Sequence, residues 1–220
     1  MIKIDRLITR SMAQMAILVS LFLALGPGEI RGAEKKAGAN RGPLELTRVA
    51  NSGVMLASGK IKILIDALFD KAPSDYRSPD PAVIDKIMQR KAPFDGVGLV
   101  LVTHNHPDHF DAPLAVRFLK ASPGTTLAAP EDAVAGMCKE AGWKEIAARV
   151  VSLDLKIGEQ EQREIAGVSI AARRTLHSGK REEPMNLMLR LRLNGWNVFH
   201  EGDADATLDE YLGFGLAEAK

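Results

Sequence analysis

Three imidazoles and two carboxylates fall within the eight positions from His104 to Asp111, in the run Thr103-His104-Asn105-His106-Pro107-Asp108-His109-Phe110-Asp111, and these are three of the five histidines of the chain. Imidazole nitrogens and carboxylate oxygens are the donor set of Zn²⁺, with iron and manganese as other fits. The run follows the unbroken apolar stretch Val97-Gly98-Leu99-Val100-Leu101-Val102, which has the pattern of a strand buried on both faces. The end of such a strand holds its backbone rigidly, so ligands in the following turn are placed in advance. Pro107 argues against His104 and Asp108 sharing one helix face. The residues therefore point to a metal centre, and a bound metal polarises oxygen atoms and makes water acidic near neutral pH.

The elements that must position this cluster can be read on both sides of it. Leu44 to Ala50, Gly53 to Ser58 and the β-rich run ending at Asp66 suggest an antiparallel meander. Helical spacing places helices over Pro81 to Arg90, with Asp80 as N-cap, over Ala112 to Ala121 and over Pro130 to Ala141. A short strand is expected at Thr125 to Ala128. Strands return at Ala148 to Leu153, Gln162 to Ile165, Val168 to Leu176, Leu187 to Leu193 and Trp196 to His200. The order predicts an α+β sandwich of sheets with helices outside.

The N-terminus differs from the rest. Lys3, Arg6 and Arg10 precede an apolar run from Met12 to Leu25, the arrangement of a signal peptide or N-terminal anchor. The expected division is a leader over 1–33, a Gly, Ala and Lys rich linker over 34–43 and one folded domain over 44–220, with a secreted or periplasmic location. The single cysteine, Cys138, rules out an intramolecular disulfide and is expected in a helix core. A net charge of +1 gives no footprint for a polyanion, so nucleic acid is not expected as a partner.

The motif at His104, His106, Asp108 and His109 resembles the H-x-H-x-D-H signature of the metallo-β-lactamase superfamily. The likeness extends to Asn51-Ser52-Gly53 on an early hairpin, to Ile63-Leu64-Ile65-Asp66, to His177 before Ser178-Gly179 and to Asp203 after Gly202. It implies an αββα fold in which His104, His106 and His177 hold one metal, Asp108 and His109 help hold a second, and Asp203 bridges. Asp108 would also act as catalytic base. Asp66 is either a group supporting the ligands from behind or an ordinary residue ending a strand. His200 is expected to be a strand or pocket residue rather than a ligand. The likeness runs from Leu44 to about Tyr211 and is incomplete at the C-terminus, since the family's last histidine follows the bridging Asp and no histidine follows Asp203 in this chain. A shortened chain, a complementing C-terminal segment or self-association, or a second metal with fewer ligands would each accommodate this.

The resemblance implies a metal-dependent hydrolase carrying one or two Zn²⁺ ions, with Fe or Mn as alternatives. Its small-molecule substrate would be an ester, lactone, amide or phosphodiester. The rivals are a mononuclear iron thiol or persulfide oxygenase and a non-catalytic metal-binding fragment. Cys138 precedes His177, so it cannot match the cysteine ligand that follows the third histidine in true β-lactamases.

Overall fold

Strict alternation in β9 (Arg181–Leu193) sends Leu187, Leu189, Leu191 and Leu193 to one side, where all four are buried. That side is the seam between two sheets. Chemical identity and period together set it: side chains two apart share a face, and each fully buried leucine contributes about 1.5–3 kcal/mol. The structure is a computed structural model that describes residues 42–216. The expected leader and most of the linker lie outside the described residues.

The first sheet runs in the order β1 (Glu45–Ala50), β2 (Gly53–Ser58), β3 (Ile61–Ile65), β4 (Leu99–Leu101), β5 (Thr126–Pro130) and β6 (Val150–Leu153). Its first three strands are antiparallel and the pairs from β3 to β6 are parallel. The parallel part needs crossovers, supplied by α1 (Pro81–Met88), α2 (Ala112–Ala121), α3 (Glu131–Met137) and α4 (Trp143–Ile146). The second sheet is antiparallel, with β10 (Trp196–His200), β9, β8 (Val168–His177) and β11 (Ala204–Asp205) in order, and β7 (Gln160–Ile165) also paired to β8.

One apolar cluster, including Leu56, Ile63, Leu101, Leu189 and Leu191, fills the space between the sheets. A second, including Leu64, Val100, Leu114, Phe118 and Leu127, lies between the first sheet and its helices. A small third cluster joins Met188 and Ala171 on the outer face of the second sheet to Phe214, just after α5 (Leu208–Gly213). The layering is α, β, β and a short α, as the sequence suggests. Among the described residues no helix is long and apolar enough to cross a membrane.

Several boundaries depart from sequence-based expectation. The helix expected to reach Ala141 ends at Met137, and Gly142, with φ of 96°, opens the separate α4. Cys138 is consequently an exposed residue capping the end of α3 and not part of a helix core. α5 lies beyond the last expected element; it places Leu208, Tyr211 and Leu212 at helical spacing and carries a capping box, with Thr207 and Glu210 each bonding the other's backbone N–H, a signature visible in the sequence.

Candidate metal centre

β4 is only three residues long, and the run of histidines and carboxylates begins just past its end. Thr103 and His104 are fully buried, and His106 carries the turn forward by accepting the backbone N–H of His109 at 3.0 Å and of Phe110 at 2.8 Å. Asp111, the last acid of the run, is spent on structure: its side chain caps α2 by accepting the N–H of Leu114 at 2.7 Å. His177 arrives at the end of β8, and Asp203 sits in the turn between β10 and β11.

These separate stretches converge. One ligand atom from each of His104, His106, His177 and Asp203 lies within 4.8 Å of all the others. Asp203 Oδ2 is 3.8 Å from His104 Nε2 and 3.7 Å from His177 Nε2, close to the roughly 3.4 Å that separates ligands bonded tetrahedrally at about 2.1 Å. The other oxygen, Oδ1, is 3.5 Å from His109 Nε2, and Asp108 Oδ2 is 3.7 Å from the same nitrogen. Asp203 thus divides its two oxygens between two groups of ligands. His104 Nε2 and His177 Nε2 are buried with no hydrogen-bond partner, a costly arrangement unless a cation accepts their lone pairs. Donor types and orphaned nitrogens both fit a metal ion.

Asp66 stands behind this cluster, fully buried. It accepts Thr103 N–H at 2.8 Å on Oδ1, while Oδ2 lies 2.6 Å from Thr103 Oγ1 and 3.0 Å from His109 Nδ1. Because Thr103 Oγ1 gives its proton to Asp66, it accepts from His104 Nδ1 at 3.1 Å. Both rings therefore keep their protons on Nδ1 and turn bare Nε2 atoms inward, the arrangement a histidine ligand needs. Asp66 adopts a left-handed backbone, φ of 49°, which Asp tolerates better than most residues. Gly53 leaves space for that turn, since a Cβ there would stand 2.5 Å from the Asp66 carbonyl oxygen.

His200 is not among the grouped ligands. Its Nδ1 accepts Gly202 N–H at 3.2 Å and its Nε2 therefore donates to the Ser52 carbonyl at 3.0 Å, so both ring nitrogens are occupied. Asn186, wholly buried, positions the Asp203 turn and is missed by sequence reasoning: its Oδ1 accepts Asp203 N–H at 3.0 Å, and its Nδ2 donates to Thr175 Oγ1 and the Glu201 carbonyl. A lone Asn in an alternating strand carries no local signal for that role.

Burial holds His104 well below the ordinary imidazole value, and His109, His177 and His106 push it further the same way. Burial, then His177, lowers His106; burial also lowers His177, against the Ser178 carbonyl. For His109 burial acts downward too, but the charge and hydrogen bond of Asp66 outweigh it and the net shift is upward. Burial alone would raise Asp66, and His109 reverses this to a net lowering. Burial raises Asp203, with His109 opposing and Asp108 reinforcing.

The signs set a pH dependence. The three lowered imidazoles bind fewer protons folded than unfolded, so their contribution is lost as pH falls below about 6.5. His109 has the opposite sign: its contribution is complete below that value and lost on rising through its raised pKa. Three groups outweigh one, so the thermal midpoint of chelator-treated protein should fall between about pH 7.5 and about pH 5.5. Differential scanning fluorimetry reads this directly, and a midpoint unchanged or higher at the acid end contradicts it.

The family model of the beta-lactamase superfamily domain matches residues 62–216. No curated protein matches the chain. Among solved structures, a metallo hydrolase from the archaeon Ignicoccus hospitalis is 16% identical, with 76% of this chain and 63% of that one covered and a TM-score of 0.47. A possible metal-dependent hydrolase from Veillonella parvula is 19% identical, with 80% and 68% covered and a TM-score of 0.48. The diiron β-hydroxylase CmlA from Streptomyces venezuelae is 17% identical, with 80% and 32% covered and a TM-score of 0.49. The chain spans less than two thirds of the archaeal enzyme and about a third of the hydroxylase.

Proposed function

Because the chain belongs to the beta-lactamase superfamily, we propose that it is a metal-dependent hydrolase acting on an ester, lactone, amide or phosphodiester. The observation that supports this most is the meeting of His104, His106, His177 and Asp203 around two buried, unpartnered imidazole nitrogens. In this reading those four hold one ion, and Asp108 and His109, with the second oxygen of Asp203, hold another. Zinc suits the donors, and bound there it would supply Lewis acidity toward a carbonyl or phosphoryl oxygen and toward water. Asp108, 4% exposed and beside His109 Nε2, accepts the proton released by the attacking water. Asp66, through Thr103 and His109, keeps the ligand rings in the required tautomer. The substrate is a small molecule, and the exported location expected from the leader is part of the same proposal.

His106→Ala tests the centre. His106 is the half-buried ligand, so its truncation leaves the core intact while removing one of four donors. Metal content measured by mass spectrometry should fall to below half of wild type, and hydrolysis across an ester and phosphodiester panel by at least about 100-fold. Wild-type turnover in a variant with no metal would refute the hydrolase reading. One iron per chain together with thiol oxidation would replace it by an oxygenase.

A further inference from the structure

Asp203 is the ligand whose two oxygens face different groups of donors, yet the strands around it are short. It follows β10, a five-residue edge strand paired only to β9, and precedes β11, which has two residues. Ladders of that length hold a backbone weakly, so the turn Glu201-Gly202-Asp203 depends on bonds outside them. Asn186 takes the Glu201 carbonyl and the Asp203 N–H, His200 accepts from Gly202 N–H, and the Asp203 carbonyl accepts Ser178 N–H at 2.8 Å.

A further bond reaches the turn from the outer face of the second sheet. Tyr211, on α5, donates its hydroxyl to Glu201 Oε2 at 2.6 Å, the short length of a charge-assisted bond. α5 is itself fastened to that face: Phe214, 3% exposed, shares an apolar cluster with Met188 and Ala171, and the Tyr211 and Phe214 rings each stand 5.9 Å from the Phe199 ring. Phe199 lies in β10, two residues before Glu201. Tyr211 thus grips both the end of β10 and the turn that leaves it.

We propose that Tyr211 is a positioning residue of the metal centre: by holding Glu201 it fixes the turn that presents Asp203, and so keeps one carboxylate oxygen beside His104 and His177 and the other beside His109. This rests on the hydrolase reading and adds a residue to its machinery. The first ion has three histidines besides Asp203, whereas the second has Asp108 and His109. Displacement of Asp203 therefore falls hardest on the second ion.

The test is competitive zinc titration of the full chain, which reads the affinity of each equivalent, with the thermal midpoint of the metal-free protein measured alongside. Tyr211→Phe keeps the ring against Phe199 and removes only the hydroxyl. It should weaken the second equivalent about tenfold or more, the usual loss when a group orienting a ligand is removed, and leave the first nearly unchanged. Glu201→Gln keeps an oxygen that accepts the hydroxyl and should retain the second equivalent, whereas Glu201→Ala should match Tyr211→Phe. The double variant of Tyr211→Phe with Glu201→Ala should lose no more than either alone, as the two partners of one bond do. Unchanged zinc affinities in Tyr211→Phe, with or without a lower thermal midpoint, overturn the proposal, and so does equal weakening of both equivalents. A wild-type chain that binds a single equivalent also overturns it, since no second ion then depends on Asp203. In each of these cases the hydrolase reading stands. A wild-type chain that takes up no metal refutes the hydrolase reading and this inference together.

Discussion

Asp66→Ala is expected to destabilise the fold by about 3–5 kcal/mol, since each buried donor left without its acceptor costs about 1–3 kcal/mol. The carboxylate is fully buried and takes hydrogen bonds from Thr103 N, Thr103 Oγ1 and His109 Nδ1. Alanine strands all three, and the upward shift of His109 disappears with its counter-charge. Asp66→Asn separates folding from ligation. The amide oxygen can keep the Thr103 N–H, but an Nδ2 donor then faces His109 Nδ1, which must become an acceptor and send its proton to Nε2. That proton points toward Asp108 and Asp203, where the second ion would bind. The Asn variant should therefore fold and lose about 10- to 100-fold in metal affinity. Urea unfolding and competitive zinc titration check the pair of results. If both variants keep wild-type stability and zinc affinity, Asp66 neither holds the fold nor orients the ligand rings.

Gly202→Ala should cost nearly as much without touching any ionisable group. Gly202 has φ of 60°, and a Cβ there would stand 2.6 Å from Asn186 Oδ1 and 2.7 Å from Thr103 Cβ and Oγ1. Both neighbours are fully buried and tied down. Either Asn186 leaves the Asp203 N–H or Thr103 leaves Asp66, so the ligand turn moves. Left-handed strain of about 1–2 kcal/mol and overpacking of about 1–3 kcal/mol give roughly 2–5 kcal/mol together. A shift of about 1 Å in Asp203 is enough to lower turnover by about 100-fold. The thermal midpoint should drop by about 2–4 °C for each kcal/mol, and zinc retention should fall with it. A stable, zinc-replete Gly202→Ala protein would show that the close approach is not needed.

How far the chain can be read depends on the range of each interaction. β10 at Trp196–His200 and α2 at Ala112–Ala121 match the expected segments residue for residue, because alternation and helical spacing are local. So is the cluster from His104 to His109, whose residue types and place after an apolar strand announce a metal centre before any fold is known. α3 ends early and Cys138 lies on the surface, since an apolar helical period does not report where a glycine breaks the helix.

By itself, then, the sequence carried the cluster of metal-donor residue types and the sandwich of sheets with outer helices through composition and period along a few neighbouring residues, and it offered His177 and Asp203 as further candidate ligands only through the family resemblance. Only the tertiary structure decided which proton each ligand ring keeps. Asp66 meets His109 from 43 positions away and Asn186 meets Asp203 from 17 away, and nothing in local spacing encodes either meeting. Each of these contacts forms within one sheet, where β4 lies beside β3 and β10 beside β9, and the packing of the two sheets then brings Asp203 against His104 and His109, which gathers a row of histidines into a site with a defined charge and direction.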